Sequence, residues 1–204
     1  MSKICYIIGA GDVSETTTIR ASEDDFIICA DGGFCHRKLL GRDCDLAIGD
    51  FDSLGAVPDF ENHIVYPREK DHTDMRMAID EGLKRGYKEF VIFGALGGDR
   101  FDHSLGNIAH LSYLCGQGAR GTFIHKRKTF IGFSNGEVTI PAKESGVVSV
   151  FSLCDVSEGV TIENFKYTAN NIDLRYDTPI GVSNEFIGKE GKVSVKNGRI
   201  LVVY

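Results

Sequence analysis

The stretch DLAIGDFDSL, residues 45–54, sets the expected fold. Leu46-Ala47-Ile48 is a short apolar run closed by Gly49. Acids then appear at Asp50 and Asp52, with only Phe51 between them. A continuous apolar run bounded by turn residues predicts a strand buried on both faces, of the kind found in parallel sheets. Side chains two apart on a strand face the same way, so both carboxylates are expected at one spot. Like charges that close raise each other's pKa unless something neutralises them.

The same grammar repeats on either side. Residues 3–8 form an apolar run ending in Gly9-Ala10-Gly11, and residues 26–30 end in Asp31-Gly32-Gly33. Residues 63–66 are a fourth strand, and residues 90–93 a fifth, running into Gly94-Ala95-Leu96-Gly97-Gly98. Helical signals alternate with these strands. Residues 34–40 stop at Gly41. Residues 73–85, apolar at Met75, Ile79 and Leu83, stop at Gly86. Phe101, Leu105, Ile108, Leu111 and Leu114 recur at helical spacing before Gly116. The alternation predicts a Rossmann-like parallel α/β sheet domain over residues 1–125. Ligands of such sheets bind at the carboxyl ends of the strands, where four polar or glycine-rich turns would converge.

After about residue 120 the helical period disappears. Residues 129–133 and 137–141 flank Ser134-Asn135-Gly136, and residues 192–195 and 199–204 flank Asn197-Gly198. Asn-Gly between strand patterns predicts hairpins. Residues 147–153, 160–165 and 181–187 add strands. A small antiparallel β-sandwich is therefore expected over residues 126–204. A unit of that size leans on a neighbour or a second subunit for burial.

Composition narrows the function. The chain has 204 residues and a net charge of −6, which argues against a nucleic-acid or anionic-membrane surface. It suits a cationic ligand or a metal-dependent site. No apolar run is long enough to span a membrane, and the first apolar stretch is too short for a signal peptide. The six cysteines are scattered without C-x-x-C spacing. Cys5, Cys29 and Cys154 fall in apolar strand patterns, as small buried hydrophobes of a reducing cytosol would, so a cytoplasmic protein is expected.

Asp50 and Asp52 are either hard oxygen ligands for a divalent cation or ordinary turn residues. Lys70-Asp71-His72-Thr73-Asp74 precedes a helix. Its acids are either caps and dipole partners or part of a bridge from a cation to phosphate at the helix start. Gly97-Gly98-Asp99-Arg100-Phe101-Asp102-His103 joins flexible glycines to a guanidinium fork suited to phosphate oxygens. Asp102 either caps the next helix or meets the ligand, and His103 is either structural or part of the site. The P-loop pattern is absent, and Gly9-Ala10-Gly11 does not extend to G-x-G-x-x-G, which disfavours a nicotinamide dehydrogenase. Asp31 brings one more acid to the same edge. Carboxylates, a cation, an arginine and a glycine-rich loop together indicate phosphoryl or pyrophosphoryl transfer.

Ala30-Asp31-Gly32-Gly33, Gly49-Asp50-Phe51-Asp52-Ser53, Lys70-Asp71-x-Thr73-Asp74, the Gly-Gly-x-Arg100-x-Asp102-His103-x-x-x-Asn107 run and Gly181-Val182-Ser183-Asn184-Glu185, in this order, resemble the thiamine pyrophosphokinase family. The family's glycine loop usually runs Gly-Gly-Arg; here Asp99 intervenes. The resemblance implies transfer of pyrophosphate from ATP to the thiamine hydroxyl, giving thiamine diphosphate and AMP. It also implies Mg²⁺ and a homodimer with shared active sites, thiamine lying between the first domain of one subunit and the sandwich of the other. It implies metal-linked Asp50, Asp52 and Asp74, and ATP contacts from Arg100, Asp102, His103, Gly97, Gly98 and Asp74. Catalysis would fall to Arg100, Asp102 and Asp71, and thiamine contacts to Asp31, Ser183 and Asn184. The hydroxyl proton goes either to Asp71 or by a metal-bound or solvent hydroxyl route. Without tryptophan, ring stacking on thiamine would use Phe165, Tyr167 or Phe186, unless these are strand-core residues. Two competing functions are a metal-dependent nucleotide-sugar glycosyltransferase and a non-catalytic nucleotide- or thiamine-sensing module.

Overall fold

The computed structural model describes residues 3–13 and 18–204. Two compact units appear: Met1–His110 with Phe123–Arg127, and Leu111–Thr122 with Lys128–Tyr204. The first unit begins with β1 (Ile4–Ile8), β2 (Phe26–Ala30), β3 (Leu46–Gly49) and β4 (His63–Val65). Along the chain helix α1 (Asp74–Lys84), β5 (Glu89–Phe93), α2 (Phe101–Gly116) and β6 (Arg120–His125) follow, the end of α2 and the start of β6 counting with the second unit. Parallel ladders join β5 to β1, β1 to β2, β2 to β3 and β3 to β4.

The expected Rossmann-like α/β domain is not what forms. Among the described residues there are twelve strands and two α-helices, and pairing is mixed, so the architecture is mostly β. The stretch expected as a helix at residues 34–40 is instead a 3-10 turn, Asp31–His36, and the β3–β4 connection carries only a shorter one, Asp52–Leu54. Two consecutive glycines, Gly32 and Gly33, are poor helix formers. Among the described residues, only β4 and β5 of the strands in these parallel ladders are joined through an α-helix, α1. The strands still bury their apolar runs, because loop side chains supply the cover. Leu40 and Cys44 join Tyr6, Ile8, Ile27, Cys29 and Phe93 in one cluster, with Phe34 and Phe60 packed against it. A periodicity rule identifies strands buried on both faces; it does not say that helices bury them.

Helix α1 forms where its pattern lies. Thr73 caps it, its Oγ1 accepting from the Arg76 N–H at 3.3 Å, and Met75, Ala78, Ile79 and Gly82 are its buried residues. Gly86, at φ 88°, takes the left-handed conformation that ends helices.

The second unit contains β7 (Lys128–Ile140), β8 (Val147–Ser152), β9 (Val156–Glu163), β10 (Ala169–Arg175), β11 (Asn184–Glu185) and β12 (Gly191–Val203). Pairing is antiparallel, in the order β10-β9-β12-β7, with β8 on β12 and β11 on β8. Both expected hairpins are absent. Asn135-Gly136 and Asn197-Gly198 lie inside the long strands β7 and β12, which pair with each other. Between Val195↔Gly136 and Arg199↔Ser134 the register shifts. The Asn135 Oδ1 accepts from the Gly198 N–H at 2.9 Å across that shift. Left-handed Asn135, at φ 45°, absorbs a bulge here rather than a chain reversal. The core runs through Phe133, Ile140, Val148, Val150, Val160, Phe165, Val193, Ile200 and Val202. No helix among the described residues is long and apolar enough to cross a membrane.

Candidate functional site

The carboxyl ends of two strands and the start of one helix bring three acids together. Asp31 follows β2 at φ 46°, Asp50 follows β3, and Asp74 opens α1. One carboxylate oxygen from each lies within 4.8 Å of the other two. The Asp31 turn is pressed against the end of β1. A Cβ on Gly33 would stand 1.9 Å from the Ile8 carbonyl oxygen, so glycine is required there.

Asp52 is not in this group. Strand geometry ends at Gly49, and Phe51 turns to φ 58° with its ring only 1% exposed. Burying that ring in left-handed backbone costs roughly 1–2 kcal/mol and breaks the alternation that would have put both acids on one face. The Asp52 carboxylate stands 3.4 Å from Arg68 Nη2, and its backbone N–H donates to Asp50 Oδ1 at 3.2 Å.

Lys70 lies between the acids. Its Nζ donates to Asp50 Oδ2 at 2.9 Å and to Asp74 Oδ1 at 2.7 Å, with only 12% of its side chain exposed. The Lys70 hydrogen bond holds the Asp50 carboxyl below the usual carboxylate range. Burial pushes Asp74 up, against the pull of the same ammonium. Burial of Lys70 favours its neutral form, but the two carboxylates outweigh this and raise its pKa. Asp31 Oδ1 is buried with no hydrogen-bond partner. An orphaned buried carboxylate oxygen beside two further carboxylates fits a hard divalent cation, which takes oxygen ligands.

The glycine-rich turn after β5 is held from α2. Gly97 and Gly98 both take φ 79°. Ser104 Oγ accepts from the Gly97 N–H at 3.1 Å, and Asn107 Nδ2 donates to the Ala95 carbonyl at 2.6 Å. Arg100 grips Asp102 bidentately, at 2.6 Å from Nη2 to Oδ2 and 3.0 Å from Nε to Oδ1. That guanidinium holds Asp102 down at about 2. Arg100, Asp102, His103 and Asp99 are all exposed, as is Asp71 on the turn before α1.

In the second unit Ser183, at φ 62°, is exposed, and its N–H donates to Ser149 Oγ at 3.1 Å. Asn184 is 6% exposed and its amide is committed. Its Oδ1 accepts from the Tyr167 and Glu185 N–H groups, and its Nδ2 donates to the Tyr167 carbonyl. Asn184 therefore fixes Tyr167, which lines a pocket of about 220 Å³ with Ile162, Ile172, Leu174, Ile180 and Val182. Phe165 and Phe186 are core residues packed edge-to-face, whereas Tyr167 is 60% exposed.

Sequence reasoning placed Asp31 at the same edge, as a thiamine contact rather than a cation ligand, and gave the bridging Lys70 no role. The spacing of four between Lys70 and Asp74 across a helix start was the available signal for Lys70.

A family model described as the thiamin pyrophosphokinase catalytic domain matches residues 19–120, and one described as the thiamin pyrophosphokinase vitamin B1 binding domain matches residues 137–200. Thiamine pyrophosphokinase from Bacillus subtilis (strain 168) is 31% identical over 167 residues, spanning 77% of this chain and 76% of that one. Among solved structures, thiamine pyrophosphokinase from Bacillus subtilis superposes with a TM-score of 0.81 at 27% identity, over 98% of each chain. A thiamin pyrophosphokinase family protein from Enterococcus faecalis gives 0.79 at 28% identity, over 99% of this chain and 98% of the other. Yeast thiamin pyrophosphokinase shares the fold, with a TM-score of 0.64 at 15% identity, over 99% of this chain and 86% of that one.

Proposed function

We propose how the site works from one premise: the chain belongs to the thiamin pyrophosphokinase family. It is an enzyme of that activity, moving a pyrophosphoryl group from ATP to thiamine to give thiamine diphosphate and AMP. The comparisons support neither a glycosyltransferase nor a sensing module.

The site reading rests on the meeting of Asp31, Asp50 and Asp74 with the orphaned Asp31 oxygen. These three carboxylates would hold Mg²⁺. A cation there would supply positive charge to the phosphates of ATP. Asp52 joins the set only if its Arg68 contact is given up. Lys70 competes with the cation for the oxygens of Asp50 and Asp74, and its ammonium, once displaced, is a phosphate partner.

The turn at Gly97 and Gly98 offers the Gly98 backbone N–H to ATP, while Gly97, its N–H held by Ser104 Oγ, shapes the turn. Arg100, held ready by Asp102, faces solvent on the same turn and binds phosphate oxygens, while His103 lines the rim. Asp71, exposed on the turn before α1, accepts the proton of the thiamine hydroxyl. Thiamine rests on the second unit, with Tyr167 under its rings and Ser183 at its polar edge; Asn184 acts by fixing Tyr167. This assigns catalysis to residues 1–125 and thiamine binding to residues 126–204. Exposed Tyr167, Ile180 and Val182 suit burial against a partner in a homodimer with shared active sites. Six free cysteines suit the cytoplasm.

The test is a product assay with purified protein, ATP, thiamine and Mg²⁺, with and without EDTA. Equimolar AMP and thiamine diphosphate, lost with EDTA, is the expected result. ADP with thiamine monophosphate, or turnover that survives EDTA, contradicts it.

A further inference from the structure

We propose that one face of α2 positions both halves of the nucleotide site, and that His110 is the positioning residue for the Asp74 limb. The inference rests on the cation and ATP reading above. Ser104, Asn107 and His110 are spaced three apart, so they share one side of the helix. Ser104 and Asn107 hold the glycine-rich turn through Gly97 and Ala95. His110 reaches the other limb: its Nε2 lies 2.9 Å from Thr73 Oγ1. Thr73 is the N-cap of α1, and Asp74 is the first residue of that helix.

Thr73 Oγ1 accepts from the Arg76 N–H and also hydrogen-bonds His110 Nε2, since a hydroxyl can donate one bond and accept two. A neutral imidazole can make this contact in either tautomer. Burial lowers the His110 pKa, the Arg76 and His72 charges lower it further, and Asp80 opposes them. Thr73 is thus fixed by its own helix on one side and by α2 on the other. The carboxylate after it inherits that fixed backbone, which sets its approach to Lys70 and Asp50.

The test compares His110→Leu, His110→Gln, Thr73→Val and the Thr73→Val/His110→Leu double variant. His110→Leu should lower kcat and raise the half-saturating Mg²⁺ concentration by on the order of 10- to 100-fold. Its KM for thiamine should stay within about twofold of wild type. His110→Gln keeps a group that can donate or accept a hydrogen bond and should restore most of the loss. The double variant should be no worse than the worse single, because both act through one bond. Calorimetric binding of ATP with Mg²⁺ should follow the same ranking without turnover. The proposal is overturned by His110→Leu with near-normal kcat and Mg²⁺ dependence, by His110→Gln as impaired as His110→Leu, or by additive losses. If His110→Leu does not fold, His110→Gln and Thr73→Val decide. Wild-type protein that makes no thiamine diphosphate but binds ATP with Mg²⁺ refutes the functional reading alone, and the calorimetric ranking still tests His110. Absence of that binding overturns both.

Discussion

Lys70→Met removes the ammonium from between Asp50 and Asp74 while keeping most of the aliphatic stem. Its side chain is 12% exposed and those of its partners 14% and 22%, so the charges left behind are poorly solvated. At the 4.8 Å limit of their separation, two carboxylates repel by about 3.5 kcal/mol at an effective dielectric of about 20. Breaking a buried pair from one side typically costs about 3–5 kcal/mol. For a chain of this length that corresponds to a fall in unfolding midpoint of roughly 6–20 °C near neutral pH without metal.

Acid should narrow the gap. Asp50, held low by Lys70, contributes stability that is present above about pH 3.9 and lost as pH falls through its folded value. Asp74, raised by burial, does the reverse: its contribution is present below about pH 3.9 and lost as pH rises through its folded value. Without Lys70 the Asp50 carboxyl loses the main cause of its lowering. Protonation then relieves repulsion instead of breaking a bridge. The variant should approach wild type as pH falls from about 7 toward about 4.

Magnesium should act in the same direction. At about 100 times its dissociation constant a ligand adds about 2.7 kcal/mol, and in the variant it need not displace an ammonium. The assay is a thermal melt of both proteins in EDTA and in Mg²⁺, at both pH values. A variant as stable as wild type in EDTA, or equal Mg²⁺ shifts in the two proteins, would refute the reasoning.

Asp31→Asn, Asp50→Asn and Asp74→Asn should each raise the half-saturating Mg²⁺ concentration by on the order of 10- to 100-fold, and Asp52→Asn by less; equal effects at all four positions would return Asp52 to the cation. Asn184→Leu removes the hydrogen bonds to the Tyr167 N–H and carbonyl, at about 0.5–1.5 kcal/mol for each, and should appear in urea unfolding as well as in a raised KM for thiamine. Ser183→Gly should gain up to about 1 kcal/mol by relieving left-handed backbone, yet raise the KM for thiamine more than that for ATP; the opposite KM ranking would place Ser183 away from thiamine. Gly33→Ala should cost on the order of 3 kcal/mol in thermal unfolding, and a neutral result would contradict the close approach to Ile8.

Local signals in the sequence determined much of this protein. Apolar runs marked β1, β2, β3 and β5, and the Thr73 cap and Gly86 stop framed α1. Those signals are short-range, set by side-chain period and backbone preference. The acids at Asp31, Asp50 and Asp74 could be named because each directly follows a strand or opens a helix. What covers a strand, and what sits opposite a turn, depends on partners distant in sequence. The stretch from Phe34 to Leu40 therefore packs on the core without forming the expected helix, and the loop at Phe60 packs beside it. Two Asn-Gly pairs became facing irregularities of β7 and β12 because register is fixed by the partner strand. Burial of Phe51 turned Asp52 away, and the fold set Lys70 between Asp50 and Asp74. Sequence listed the charges; only packing decided which of them met, because contact between side chains is settled by where the buried groups must go.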